Sequence, residues 1–115
     1  MMIPPRVIAF DVNETLLDLE ALDPHFVRVF GDASVRPLWF AQMLQLAFIG
    51  IIAGEYIDFT TAQRRALRML AARRGVRLTE TDAVAIADQM THLPPHNDVL
   101  PALDRLGRSG SLVVA

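Results

Sequence analysis

Cysteine and lysine are both absent from the 115 residues. Without cysteine there is no disulfide framework, no thiolate metal site and no thiol nucleophile, a composition that fits a reducing cytoplasm. Without lysine the chain has no ammonium group to offer to catalysis, and all eleven basic residues are arginine. Net charge is nearly absent as well. At −2 it gives no overall attraction to nucleic acid or to an anionic membrane. Between Met1 and Arg6 there is no apolar run long enough for a secretory signal. Apolar side chains, by contrast, are plentiful: 52% of residues are hydrophobic and the mean hydropathy is +0.31. That is rich for a chain of one domain at most, and it leaves apolar surface in want of a partner.

The sequence is organised around Val7-Ile8-Ala9-Phe10-Asp11-Val12-Asn13-Glu14-Thr15-Leu16-Leu17-Asp18. Val7 to Phe10 is a short apolar run that reads as a buried strand and stops at a carboxylate. Ligands of parallel α/β sheets bind outside the carboxyl ends of the strands, so Asp11 is placed to meet a substrate. The alternative is an aspartate that merely terminates a strand.

Beyond the motif the periodicity turns helical. Asp23-Pro24 reads as an N-cap followed by proline in the first turn, with Phe26, Val29 and Phe30 at helical spacing and Gly31 as the stop. A second helix runs from about Arg36 to Ile52, with one stripe through Trp39, Met43 and Leu46 and another through Phe40, Leu44 and Phe48. Both stripes need cover: one packs on neighbouring helices and the other could line a pocket, with core packing the default for any such stripe. Pro37 to Gly54 carries no charged residue and touches the length of a membrane span, but Gln42, Gln45, Gly50 and Gly54 interrupt it and no basic cluster abuts it. A buried or interface helix is the reading, with no membrane. Thr60 or Thr61 opens a third helix, closed by Gly75, whose arginines form a solvated basic face without the aromatic platform of a nucleic-acid binder. Thr79 or Thr81 opens a fourth, which ends before Leu93-Pro94-Pro95. His25 reads as a surface residue, and His92 and His96 as turn residues. A short helix from Asn97 or Asp98 to Gly107 and a second buried strand, Ser111 to Ala115, complete the chain. Two strands separated by helices imply a parallel pair.

The phrase Asp11-x-Asn13-x-Thr15-Leu16-x-Asp18 after an apolar strand resembles the first motif of the haloacid dehalogenase superfamily. The Trp-centred helix, the stretch Glu55 to Phe59 and the proline-rich return through Leu93-Pro94-Pro95 resemble the type II 2-haloacid dehalogenases in particular, over about the first half of such a protein. The fold expected from the resemblance is α/β: the start of a Rossmann-like parallel sheet of haloacid dehalogenase type, with an incomplete core and an inserted α-helical cap. The expected segments are 1–18 for the first strand and motif, 19–93 for the cap, and 94–115 for the return to the core.

The resemblance also implies roles. Asp11 is the expected nucleophile, forming an ester with a small 2-haloacid, and Thr15 orients it. Asn13 stands where superfamily phosphatases carry a second Asp as general acid. A side-chain amide cannot cycle a proton, so Asn13 disfavours a Mg²⁺-dependent phosphatase and favours a reaction needing no metal or other cofactor. Trp39, Phe40 and Arg36 are the expected substrate-side residues of the cap. Phe40 stands where these dehalogenases have an anion-receiving arginine, and Arg36, one turn earlier, is its candidate substitute. The downstream Ser or Thr, Lys and acidic motifs of the family do not occur here, so the 115-residue polypeptide by itself is expected to be silent. Two rivals stay open: a phosphatase of the same superfamily, and a non-catalytic interaction module or homodimer built on the apolar cap helix.

Overall fold

The computed structural model describes residues 7–115. They form two compact units, one comprising the described residues up to Ala21 together with Leu93–Ala115, the other Leu22–His92.

The first unit holds β1 (Val7–Ala9) and β2 (Leu112–Val114), a parallel pair in the register Val7 to Leu112, Ile8 to Val113 and Ala9 to Val114. The ladder continues to Phe10, whose N–H donates to the Val114 carbonyl at 2.9 Å. The parallel pairing agrees with the sequence reading, but the expected burial of the strands does not. Both run exposed, half-buried, exposed, with Val7 at 58% and Leu112 at 59%. A strand with one neighbour and one partly covered face has nothing to bury its outer residues against. The helix of this unit (Val99–Arg108) packs on β2 and runs one residue past Gly107, which lies inside it. The left-handed residue that follows is Gly110, at φ 85°.

The second unit is helical: α1 (Asp23–Phe30), α2 (Val35–Ile52), α3 (Phe59–Arg74) and α4 (Glu80–Met90), which makes the helix of the first unit α5. Helix α1 packs on α2, α2 on α3, α3 on α4 and α4 back on α1, a closed circuit around one core. Phe26, Trp39, Met43, Leu67 and Ile86 fill that core and are fully buried. The Trp39 ring lies 5.3 Å from that of Phe26, tilted by 48°, and its indole N–H donates to the Gln63 carbonyl at 3.0 Å. A buried polar edge is thereby satisfied, as an indole in a core requires.

The ends of the helices refine the sequence reading. Asp23 is the first residue of α1 and makes no cap; its carboxylate pairs with Arg36 instead. Helix α3 is capped by Asp58, whose Oδ1 accepts from the Thr61 N–H at 2.7 Å, and not by either threonine. Thr79 caps α4 in a reciprocal box with Asp82. Gly31 and Gly75 end their helices in left-handed conformations at φ 73° and 64°.

One apolar face of α2 remains outside the core. Phe48, Ile49, Ile51 and Ile52 are exposed, Ile52 to 86%. By length and composition alone this helix would suffice to cross a membrane. The second stripe thus runs from half-buried Phe40 and Leu44 to exposed Phe48, without the full cover expected of it.

Candidate active site

Asp11 follows directly on the last residue of the β1 ladder, and its side chain is exposed. A tight loop comes next. The Val12 carbonyl accepts from Leu16 N–H at 2.9 Å and from Leu17 N–H at 3.0 Å, while Glu14 N–H donates to Leu17 O at 2.9 Å. These bonds turn the chain back so that the Thr15 hydroxyl lies 3.5 Å from Asp11 Oδ2, at the long limit for a hydrogen bond. Asp11 and Thr15, paired by the sequence reading, are therefore brought together. Asn13 is half-buried in the same loop and pairs across it with Leu17. The Glu14 N–H is thus directed to the Leu17 carbonyl, across the loop.

The loop is tied to the returning chain. Asp18 N–H donates to Pro94 O at 2.8 Å, His96 N–H to Leu16 O at 3.0 Å, and the His96 ring contacts the Glu14 carbonyl at 2.8 Å. These ties make His96 more than the turn residue its sequence suggests, and only its separation from residue 14 hid it. Beside the loop is a cavity of about 150 Å³, lined by Phe10, Thr15, Leu16, Val99, Ala102 and Leu103 among others. It is smaller than the roughly 300–1,000 Å³ usual for ligand pockets, and Asp98 adds a carboxylate to its mostly apolar wall.

Glu14, Asp18 and His96 each place one donor atom within 4.8 Å of the others, and among the described residues they are the group with the chemistry to hold a cation. Asp11 is not one of them. Asp18 already accepts from Glu20 N–H at 2.9 Å, so part of that donor set serves the loop itself.

The cap-side residues are placed differently from expectation. Trp39 has no exposed surface, so in this conformation its ring is a core member and presents nothing to a ligand. Phe40 is half-buried next to it, with ring centroids 6.4 Å apart. Arg36 Nε lies 2.6 Å from Asp23 Oδ1, a part-buried ion pair that joins the starts of α1 and α2. A guanidinium so engaged is held by its partner, and recruiting it to a substrate anion would break a charge-assisted bond.

No protein-family model matches the chain. Among curated proteins, an (S)-2-haloacid dehalogenase of Pseudomonas putida is 30% identical over 106 residues, 90% of this chain and 46% of that protein. Haloacetate dehalogenase H-2 of a Moraxella species is 28% identical over 109 residues, 91% of this chain and 48% of that protein. The L-2-haloacid dehalogenase of Xanthobacter autotrophicus superposes with a TM-score of 0.80 at 23% identity, covering 90% of this chain and 43% of that one. This chain has the amino-terminal half of the haloacid dehalogenase fold. It spans about half the length of the curated 2-haloacid dehalogenases it matches. The Xanthobacter structure with chloropropionic acid covalently bound superposes at a TM-score of 0.83, with 20% identity over 96% of this chain and 45% of that one.

Proposed function

We propose that this chain supplies the nucleophile-bearing half of a 2-haloacid dehalogenase-like hydrolase. The observation that carries the reading is the Asp11–Thr15 pair at the end of β1, in a chain similar over nine-tenths of its length to such enzymes. An Asp11 carboxylate oxygen attacks the halogen-bearing carbon, the carbon–halogen bond breaks, and halide leaves with the electron pair. The resulting ester is hydrolysed by water at the Asp11 carbonyl, releasing the 2-hydroxyacid and a proton and restoring the carboxylate. Thr15 Oγ1, by donating to Oδ2, leaves Oδ1 as the attacking oxygen. A dehalogenase structure that holds chloropropionic acid covalently supports an ester of this kind.

Asn13 and Phe40 set the substrate in this reading. Asn13 lacks the proton-cycling group of a phosphatase. Phe40 gives the cap an apolar wall where the dehalogenases use an arginine. The reading implies a soluble, cytoplasmic protein that takes a small haloacid and needs no cofactor, nucleic acid or membrane. The exposed apolar end of α2 supports a homodimer joined there, which Ile52→Glu should dissociate in sedimentation experiments.

The product of the protein's own gene, purified as its source makes it, is the material for the test. With 2-chloropropionate it should release chloride and lose that activity on Asp11→Asn. Phosphate release from an aryl phosphate with Mg²⁺, and no chloride, would establish the phosphatase instead. The 115-residue polypeptide alone, having no lysine to stabilise the nucleophile's charge, should release no halide above a buffer blank.

A further inference from the structure

His96 closes on the chain at both sides of Thr15. Its ring Nε2 lies 2.8 Å from the carbonyl oxygen of Glu14, the peptide that leads into Thr15. Its backbone N–H donates to the carbonyl of Leu16, the residue after, at 3.0 Å. A carbonyl only accepts, so Nε2 must carry the proton in this contact. The residue being gripped is also strained. Glu14 has φ 66°, the one positive φ at a non-glycine position among the described residues. A side chain in that region is unfavourable and persists where the surroundings over-determine it. Here the surroundings are the loop's own bonds to Val12 and Leu17 and the ring of a residue 82 positions later.

We propose that His96 is a positioning residue for the Asp11–Thr15 pair, holding the loop so that the Thr15 hydroxyl stays over Asp11 Oδ2. The proposal rests on the reading of Asp11 as nucleophile. His96 acts through the backbone on a hydroxyl that selects which carboxylate oxygen attacks. The geometry separates the ring's contribution from that of the main chain: the bond to Leu16 needs only a backbone N–H, which every residue but proline supplies, and the bond to Glu14 needs a side-chain N–H.

Two variants test this. His96→Phe keeps a ring and loses the donor; His96→Gln loses the ring and keeps an N–H of similar reach. In the native gene product with 2-chloropropionate, His96→Phe should lower kcat by roughly ten- to a hundred-fold, the scale of a misplaced reacting group, with a much smaller change in KM. His96→Gln should recover most of that loss. In the same proteins, amide exchange at Leu16 and Leu17 should quicken in His96→Phe and return in His96→Gln, while the Phe10 amide in the β ladder stays as slow as before. Unchanged kcat in His96→Phe, or a glutamine no better than the phenylalanine, would overturn the proposal. If the unaltered protein releases no halide, the dehalogenase reading fails, and the exchange comparison alone judges the clamp: equal rates in all three proteins would reject it. Should His96→Phe not fold, the imidazole nitrogens of the unaltered protein decide by NMR, with a protonated, hydrogen-bonded Nε2 expected and a bare Nε2 contradicting.

Discussion

The two units of this chain bury their apolar side chains to very different degrees. In the helical unit four helices close a circuit, and the largest side chains, Trp39, Phe26 and Met43, lose all contact with solvent. In the sheet unit two equally apolar strands leave every second residue outside. Composition does not separate the two. Closure does: a helix circuit supplies both walls of its core from local sequence, whereas a two-stranded parallel pair supplies one wall and leaves the rest of its surface open. The exposed unit is the one that carries the candidate nucleophile, and hydrogen bonds from the backbone and from the His96 ring hold its loop in shape.

The comparison breaks most readily at Trp39. Trp39→Ala should cost about 3–5 kcal/mol in chemical denaturation, whereas Val113→Ala on the half-buried strand should cost under about 1 kcal/mol. Equal losses would refute the contrast in closure. Next in size is Gly50, where an added Cβ would stand 2.6 Å from the Glu55 carbonyl oxygen and 3.2 Å from the Ile57 side chain. Because the close atom is backbone, Gly50→Ala should cost about 1–3 kcal/mol, read from the same denaturation midpoint.

Asp58→Ala removes the α3 cap and should lower the denaturation midpoint by less than Gly50→Ala does. Hydrogen bonds from the Thr61 backbone and side chain hold the Asp58 carboxyl below its ordinary 3.8, and those from the Ser34 side chain and backbone do the same for Asp32. A carboxyl depressed in the folded state stabilises above its unfolded value and loses that contribution as pH falls through the folded one. Thermal melts should therefore fall off below about pH 4, and less so in Asp58→Ala. The smallest effect belongs to the exposed pair Arg108–Asp104, where Arg108→Ala should shift stability by less than about 0.5 kcal/mol in the same melts.

Much of this was legible in the sequence, and what was not has physical reasons. Five helices and a parallel strand pair follow from periodicity and from the glycine and proline stops, Asp11 at a strand end follows from the apolar run before it, and its pairing with Thr15 comes from the family resemblance alone. Strand burial was misjudged because an apolar run reports what a strand can bury and not what covers it. The resemblance puts Trp39 on the substrate side, whereas its helical stripe has core packing as the default, and the ring is fully buried. Arg36 looked available because its partner lies in another helix, at Asp23. Asp58 could have been found: an aspartate at the entry to a helical pattern is a preferred N-cap residue, whatever follows it. His96 could not, since nothing local ties a residue to a loop 82 positions earlier.

The measurement that bears most directly on Asp11 as nucleophile is a single turnover of the native gene product with 2-chloropropionate in heavy-oxygen water. If Asp11 forms the ester and water opens it at the carboxyl carbon, the heavy oxygen enters the peptide containing Asp11 and the first 2-hydroxyacid formed is unlabelled. Label in that first product with none in the Asp11 peptide would mean that water attacks the substrate directly, and Asp11 would not be the nucleophile.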